Sequence, residues 1–432
     1  MFRPSMRPST PVPVTACGRH RKTACKSGNP PATSSNKAGI MPALLYAPAI
    51  QRRPPAHCGT PLQPARPGHP MTRPATRFRQ VQHGLGNLRD RIRNPAALIQ
   101  SEHTPFQVLH RQGIVQLRWY PPLDEAKTRH PTPVVIVPPL AVNMSIYDLF
   151  PNRSLVRHLL EQGFPVYLLD WGRPGPAEDH WQLATYITKL LPDLLARVRT
   201  HAGTRQLSLH GWSFGGLFAY AYTAWSEDPD IRNLVLVGAP CDYHNNGIVG
   251  RQQQRIGRLV RRVGRIRRLR PHAMPPRVFR SPGWLNSTMY KLTSPVASLR
   301  PHLDLLRRLQ DRDRVAAHAT NSAFVDDMVA YPGGVVQDVL QHLWCDNLLA
   351  AGRLPIAGSD ARLDRITASI LLIAGEGDPV VTPQSSRSLL DLVGSQDTQA
   401  LGIPGGHMSI LAGTQTATDT WPTITQWLAA RS

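Results

Sequence analysis

From Thr104 onward, short β-rich apolar runs alternate with segments of helical periodicity, the pattern of a mostly parallel sheet covered by helices. Val108 to Tyr120 reads as an antiparallel lead-in pair. Val134 to Val137, Val166 to Leu169, Leu207 to His210 and Leu234 to Val237 are continuous apolar runs of strand length, expected as buried parallel strands. Between them Ser154 to Glu161, His180 to Thr200 and Gly215 to Trp225 repeat apolar residues at helical spacing. The alternation stops from Asp242 to Ile366, where Pro-, Arg- and Leu-rich helical pieces dominate. It resumes with Ile370 to Ala374, a helix from Gln384 to Leu392, and Ala400 to Ile403. A last helix starts near Thr420, with Pro422 in its first turn, where the missing N–H costs nothing. The pattern predicts an α/β fold: core segments 104–241 and 367–432, an inserted helical cap or lid over 242–366, and a basic helical segment over 71–103.

Residues 1–70 break this pattern, with 14 prolines, scattered Arg and Ser, and no apolar periodicity. Such a composition cannot bury enough surface to offset chain entropy, so a disordered leader is expected. A start at Met71 would remove it, and the leader is read either as a product of start-site assignment or as a targeting segment or tail. Charge follows the same division. Of the formal +22, residues 1–89 supply 14 basic side chains and no acidic ones, residues 251–270 supply nine arginines and no acid, and the remaining 323 residues sum to −1. The globular body therefore carries no basic face, which argues against nucleic acid as a partner. The five cysteines, Cys17, Cys25, Cys58, Cys241 and Cys345, form no C-x-x-C pair and no His/Cys cluster of zinc spacing, so neither a disulfide framework nor a metal site is expected. A cytoplasmic setting follows from that cysteine usage. The longest apolar runs are far below the roughly 20 residues that cross a bilayer.

One string carries chemistry. Gly211-Trp212-Ser213-Phe214-Gly215-Gly216 lies between the strand ending at His210 and the next helix. A nucleophile elbow needs small residues (Gly211, Gly215 and Gly216) around a serine because a strained strand-to-helix turn brings backbone segments into contact. A serine hydroxyl is a poor nucleophile until a base takes its proton, so a histidine oriented by a carboxylate must follow in the order Ser, Asp, His. Asp378 in Gly375-Glu376-Gly377-Asp378-Pro379-Val380 and His407 in Pro404-Gly405-Gly406-His407-Met408 both follow predicted strands. The oxyanion hole would use the backbone N–H groups of Phe214 and, from the loop Pro138-Pro139-Leu140-Ala141-Val142-Asn143, Ala141; each such donor typically contributes about 10²–10³ in rate. Asp170 also ends a strand, but its place before the nucleophile breaks the order, and a turn-capping role is expected.

Val137-Pro138-Pro139, Asn152-Arg153-Ser154-Leu155-Val156, Leu160-Glu161-Gln162-Gly163-Phe164, Asp170-Trp171-Gly172, the elbow, Val381-Thr382-Pro383, Ser385-Ser386-Arg387 and Pro404-Gly405-Gly406-His407 together resemble the polyhydroxyalkanoate synthases, a branch of the α/β-hydrolase superfamily. The resemblance runs from about Thr104 to Leu411. It implies an α/β-hydrolase fold and transfer of 3-hydroxyacyl groups from coenzyme A thioesters onto a growing polyester, with nucleophile, acid and histidine at Ser213, Asp378 and His407. One departure stands out: the family's nucleophile is a cysteine in G-x-C-x-G, and here it is Ser213. A thiolate leaves well and its acyl thioester stays reactive, whereas an acyl ester on serine lies closer in energy to a polyester product. Three functions stay open: a serine acyl hydrolase or esterase, a working polyester synthase, and a non-catalytic granule protein. None needs a resident cofactor, since coenzyme A would enter as substrate. A homodimer is a further open alternative.

Arg251 to Arg270 places Ile256, Leu259, Val260, Val263, Ile266 and Leu269 on one helical face, with arginines on much of the rest, interrupted by Gly257 and Gly264. This basic amphipathic pattern fits a lid helix with a solvated face, a contact with an anionic lipid or polyester-granule surface, or a contact with coenzyme A phosphates. Trp284, Met289 and Tyr290 are expected in the core of the cap.

Overall fold

Ten strands form the framework: β1 (Gln107–Gln112), β2 (Val115–Tyr120), β3 (Val134–Val137), β4 (Asp148–Phe150), β5 (Arg153–Ser154), β6 (Val166–Asp170), β7 (Leu207–Trp212), β8 (Ile231–Val237), β9 (Ser369–Gly375) and β10 (Thr398–Ile403). They come from a computed structural model that describes residues 74–432 apart from 125–128, 267–268 and 294–303; the predicted leader lies outside these residues. Eight strands make one sheet in the order β1-β2-β6-β3-β7-β8-β9-β10. β2 runs antiparallel to both β1 and β6, and the other pairings are parallel. β4 and β5 form a small hairpin that the sequence pattern did not reveal.

The helices that precede the cap in the chain are α1 (Pro74–Arg93), α2 (Leu155–Glu161), α3 (Leu183–Thr185), α4 (Leu191–Ala202) and α5 (Phe214–Ser226). A π-helical turn, Tyr186–Leu190, joins α3 to α4. Two apolar layers sandwich the sheet, and alternate residues of one strand enter opposite layers, as the two-residue period of a strand demands. Val135, Val137 and Leu209 pack with Leu194 and Leu195 of α4 and with Leu217 and Phe218 of α5. Val134, Ile136 and Leu371 pack on the other face with Val156 and Leu159 of α2 and with Ile424 near the C-terminus. This two-sided burial is why the strands read as unbroken apolar runs. Ser154 caps α2 by accepting the Arg157 N–H at 3.1 Å.

Among the described residues between β8 and β9 the sheet gains no strand. The chain instead forms α6 (Gly247–Val263), α7 (Gly283–Thr293), α8 (Arg312–Asp326) and α9 (Gly333–Asp338), then a π-helical turn, Val339–Cys345. α1 belongs with this cap: Asn87 Nδ2 donates to Leu309 O at 2.8 Å, Arg312 pairs with Asp90 at 2.8 Å, and Leu98 packs against Val315, Ala316 and Ala319 of α8. After β9 come α10 (Pro383–Arg387), α11 (Ser409–Ala412) and α12 (Trp421–Ala429), the last with Pro422 in its first turn.

Three local expectations are corrected. The helix predicted from Gln384 to Leu392 stops at Arg387; beyond it Leu389, Leu390 and Leu392 donate to carbonyls three residues back, and the Ser388 hydroxyl takes the Ser385 carbonyl, so the serines draw the chain into tight turns. α6 ends at Val263, with Gly264 as its cap, so Ile266 and Leu269 do not continue its face. Trp284 and Met289 are not cap core: they are 70% and 56% exposed.

Candidate active site

β7, β9 and β10 all point their C-terminal ends to one rim of the sheet, where loops gather over open α/β sheets. Ser213 follows β7, Asp378 follows β9 and His407 follows β10. The structure brings the three together. His407 Nε2 lies 2.9 Å from Ser213 Oγ, and His407 Nδ1 lies 2.7 Å from Asp378 Oδ2. All three side chains are buried, which excludes competing water and strengthens each contact. The other Asp378 oxygen accepts the backbone N–H groups of Val380 and Val381 at 2.8 and 3.0 Å, so the carboxylate is held on both sides.

The turn at Ser213 is strained, with φ 54° and ψ −124°, and glycines make it feasible. A Cβ on Gly215 would sit 2.0 Å from Val137 O, one on Gly211 would sit 2.5 Å from Gly216 Cα, and one on Gly216 would sit 2.5 Å from Ala239 Cβ. The contact with Val137 and Pro138 sets the start of the 138–143 loop against the elbow. Phe214 is the first residue of α5, so its N–H has no acceptor within the helix. Ala141 also takes a positive φ of 65°, and its carbonyl accepts the Val329 N–H at 2.9 Å, tying the loop to the cap.

Trp212 was not singled out from the sequence. Its indole Nε1 donates to the His407 carbonyl at 3.1 Å, and its ring packs 5.2 Å from the imidazole, so the residue before the serine also braces the histidine. Only the x position of the elbow string could have signalled it. On the other side Gly238, at φ 53°, leaves room that a Cβ would fill 3.5 Å from the His407 ring and 3.6 Å from Asp378 Oδ2. Asp170 lies apart from the site. It accepts the Gly172 N–H at 2.9 Å, the turn role expected of it, and pairs with Arg118 at 2.7 Å. The cap is rooted beside the acid: Asn246, just before α6, donates to Val380 O at 2.7 Å and accepts the Thr382 N–H at 2.8 Å.

Comparison with known proteins fits this frame. A family model described as the alpha/beta hydrolase fold matches residues 132–265. The chain is 28% identical over 330 residues to a poly(3-hydroxyalkanoate) polymerase subunit PhaC from Haloferax mediterranei, covering 76% of this chain and 64% of that relative's length. A protein of the same name from Allochromatium vinosum is 26% identical over 357 residues, 82% of this chain and 95% of that one. This chain has the α/β-hydrolase fold, and over about three quarters of its length its sequence is similar to poly(3-hydroxyalkanoate) polymerase subunits. Among solved structures, a soluble variant of monoglyceride lipase from Saccharomyces cerevisiae aligns at a TM-score of 0.49 with 12% identity, over 77% of this chain and 96% of the other.

Around this site, α6 presents three faces. Gly250, Gln253 and Gly257 are buried, and a Cβ on Gly257 would meet Trp344 O at 2.6 Å, so the helix seats its small residues on the π turn. Ile248, Ile256, Leu259 and Val263 form an exposed apolar stripe, and Arg251, Arg255, Arg258 and Arg262 are exposed beside it. Among the described residues, no helix is long and apolar enough to cross a membrane.

Proposed function

We propose that the protein is a serine-nucleophile acyl-transfer enzyme that hydrolyses (hydroxy)acyl esters or coenzyme A thioesters through an acyl-enzyme on Ser213. The hydrogen-bonded chain Ser213–His407–Asp378 carries this reading. In the first step Ser213 Oγ attacks the acyl carbonyl while His407 Nε2 takes its proton; Asp378 holds the Nδ1–H and stabilises the imidazolium. Backbone N–H groups of Phe214 and Ala141 receive the oxyanion. His407 then protonates the leaving thiol or alcohol, and a water activated by the same nitrogen releases the acid. The exposed apolar and arginine stripes of α6 support a polyester or other amphiphile surface as the place where substrate is met.

The names of the sequence relatives favour a second reading, transfer of the acyl group to a growing polyester. Two measurements separate them. A fluorophosphonate probe should label wild-type protein and not Ser213→Ala, and absence of labelling would remove the serine mechanism. Incubation with 3-hydroxyacyl coenzyme A should yield free hydroxy acid; insoluble polymer as the main product would establish the second reading. Ser213→Cys sharpens the choice. A thiol near pKa 8.5 is more easily deprotonated by His407 and gives a more transfer-competent thioester, so the polymer-to-acid ratio should rise if an acceptor hydroxyl is positioned there.

A further inference from the structure

We propose that His272, Asp338 and His342 form a binding site for a zinc-class divalent cation at the joint between cap and core. The three residues come from different elements. His272 sits in the short 3-10 turn Pro271–Ala273, Asp338 ends α9, and His342 lies in the π-helical turn that follows. Asp338 Oδ1 lies 2.8 Å from His272 Nε2 and 3.8 Å from His342 Nε2, and one ligand atom from each residue lies within 4.8 Å of the others. Zinc bonds of about 2.0–2.2 Å to nitrogen and oxygen require ligand separations between those two shorter values, within reach of small imidazole rotations.

Charge gives the site its motive. Asp338 is 3% exposed, and its other oxygen accepts only a neutral donor, the Leu183 N–H, at 2.8 Å. Among the described residues its ion-pair partners are these two histidines, with no lysine or arginine. A buried carboxylate without a counter-charge is expensive. A divalent cation would supply the missing charge.

The surroundings hold this geometry. Gln337, itself buried, donates through Nε2 to Pro271 O at 2.6 Å and Met274 O at 2.8 Å, clamping the turn that carries His272. The Leu183 N–H orients the carboxylate from the core side. Such outer contacts keep ligands aimed in metal sites. Two imidazoles and one carboxylate suit zinc, cobalt or nickel better than magnesium or calcium, and three protein ligands leave one position open. His342 also lines a cavity of about 910 Å³ with Asp346, Arg353, Asp360 and Arg362, which gives that position an approach.

The test uses the tag-free full-length protein, stripped with a chelator and titrated with Zn²⁺ by calorimetry and with Co²⁺ by visible absorption. Wild type should bind one equivalent at this site with a Kd of about 1 µM or tighter and show a rise in Tm. The double variant His272→Ala/His342→Ala should lose that equivalent, weakening it by at least the roughly 100-fold that even outer contacts can cost, and should lose the Tm rise. Binding weaker than about 100 µM in wild type, or an equally tight equivalent in the double variant, overturns the proposal. Because the double variant could fold poorly, Asp338→Asn provides a second arm, retaining the acceptor for Leu183 while removing the charge. Undiminished Zn²⁺ affinity in that variant also overturns the site, and Mg²⁺ binding as tight as Zn²⁺ overturns its zinc-class assignment.

Discussion

The sheet and the cap helix α6 are built by different means. In β3, β7 and β9 nearly every side chain is buried on one face or the other, so contact area holds the sheet together. In α6 the buried positions are Gly250, Gln253 and Gly257, while Ile248, Leu259 and other large apolar residues stay at the surface. α6 is instead held by close backbone approach to the π turn and by the ties of Asn246 to Val380 and Thr382, whereas other parts of the cap, Val335, Leu343 and Leu349 among them, are buried with the sheet's own core. The difference teaches that rigidity is concentrated under the nucleophile. α6 depends on discrete pins, and the one at its start stands beside the loop that carries Asp378.

The largest effect expected from breaking this division is catalytic. Ser213→Ala should cut hydrolytic kcat by about 10⁴-fold or more with Tm unchanged, because the covalent step has no substitute and the elbow accepts a smaller side chain. Retention of a hundredth of the wild-type rate would contradict a serine mechanism. Next comes packing. Leu209→Ala, in β7, should cost about 2–5 kcal/mol in urea unfolding, whereas Leu259→Ala, on the exposed stripe of α6, should change stability by less than about 0.5 kcal/mol. Equal costs would show that α6 is area-stabilised after all.

A smaller effect is pH-dependent and belongs to the core alone. His210 is fully buried in β7, and desolvation lowers its pKa from 6.5 to about 4. The unfolded chain therefore binds the proton that the fold refuses between those values. This contribution to stability is intact above pH 6.5 and is lost as the pH falls toward 4, roughly 3 kcal/mol in all. His210→Phe should flatten that part of the stability profile relative to wild type; an unchanged slope would place the titration elsewhere. Smallest is Arg431→Ala at the sheet edge. Arg431 grips Asp397 in a two-point contact at 2.7 and 3.0 Å, and this hydrogen bonding holds the Asp397 pKa down to about 2. The pair is half exposed, so its loss should cost about 0.2–1 kcal/mol at pH 7, an amount that shrinks as the pH falls below about 4 toward 2.

How much could be read in the sequence follows the same division. Val134 to Val137 and Ile370 to Ala374 are legible because two-sided burial forces continuous apolar runs, and Ser213, Asp378 and His407 because each ends a strand in a fixed order. Trp284 and Met289 misled because large apolar residues imply burial only where an opposing layer exists, and the cap supplies none there. His272 could not be joined to Asp338 from spacing, since the two lie 66 positions apart in the chain. The docking of α1 on α8 rests on Asn87, Asp90 and Arg312, polar residues that carry no periodic signal.

β10 is the last strand of the sheet and most of its residues face solvent, yet the loop that follows it carries His407. The nucleophile hangs from an interior strand, the base from an edge. In the language of hydrogen exchange the two lie in units of different opening energy, and an edge opens first. A transient parting of β10 from β9 would withdraw the imidazole while Ser213 stays seated, leaving a folded protein with an unactivated serine. Heat inactivation of this enzyme is therefore expected to begin with the loss of one ring nitrogen, seen as fast amide exchange in β10, well before the sheet melts.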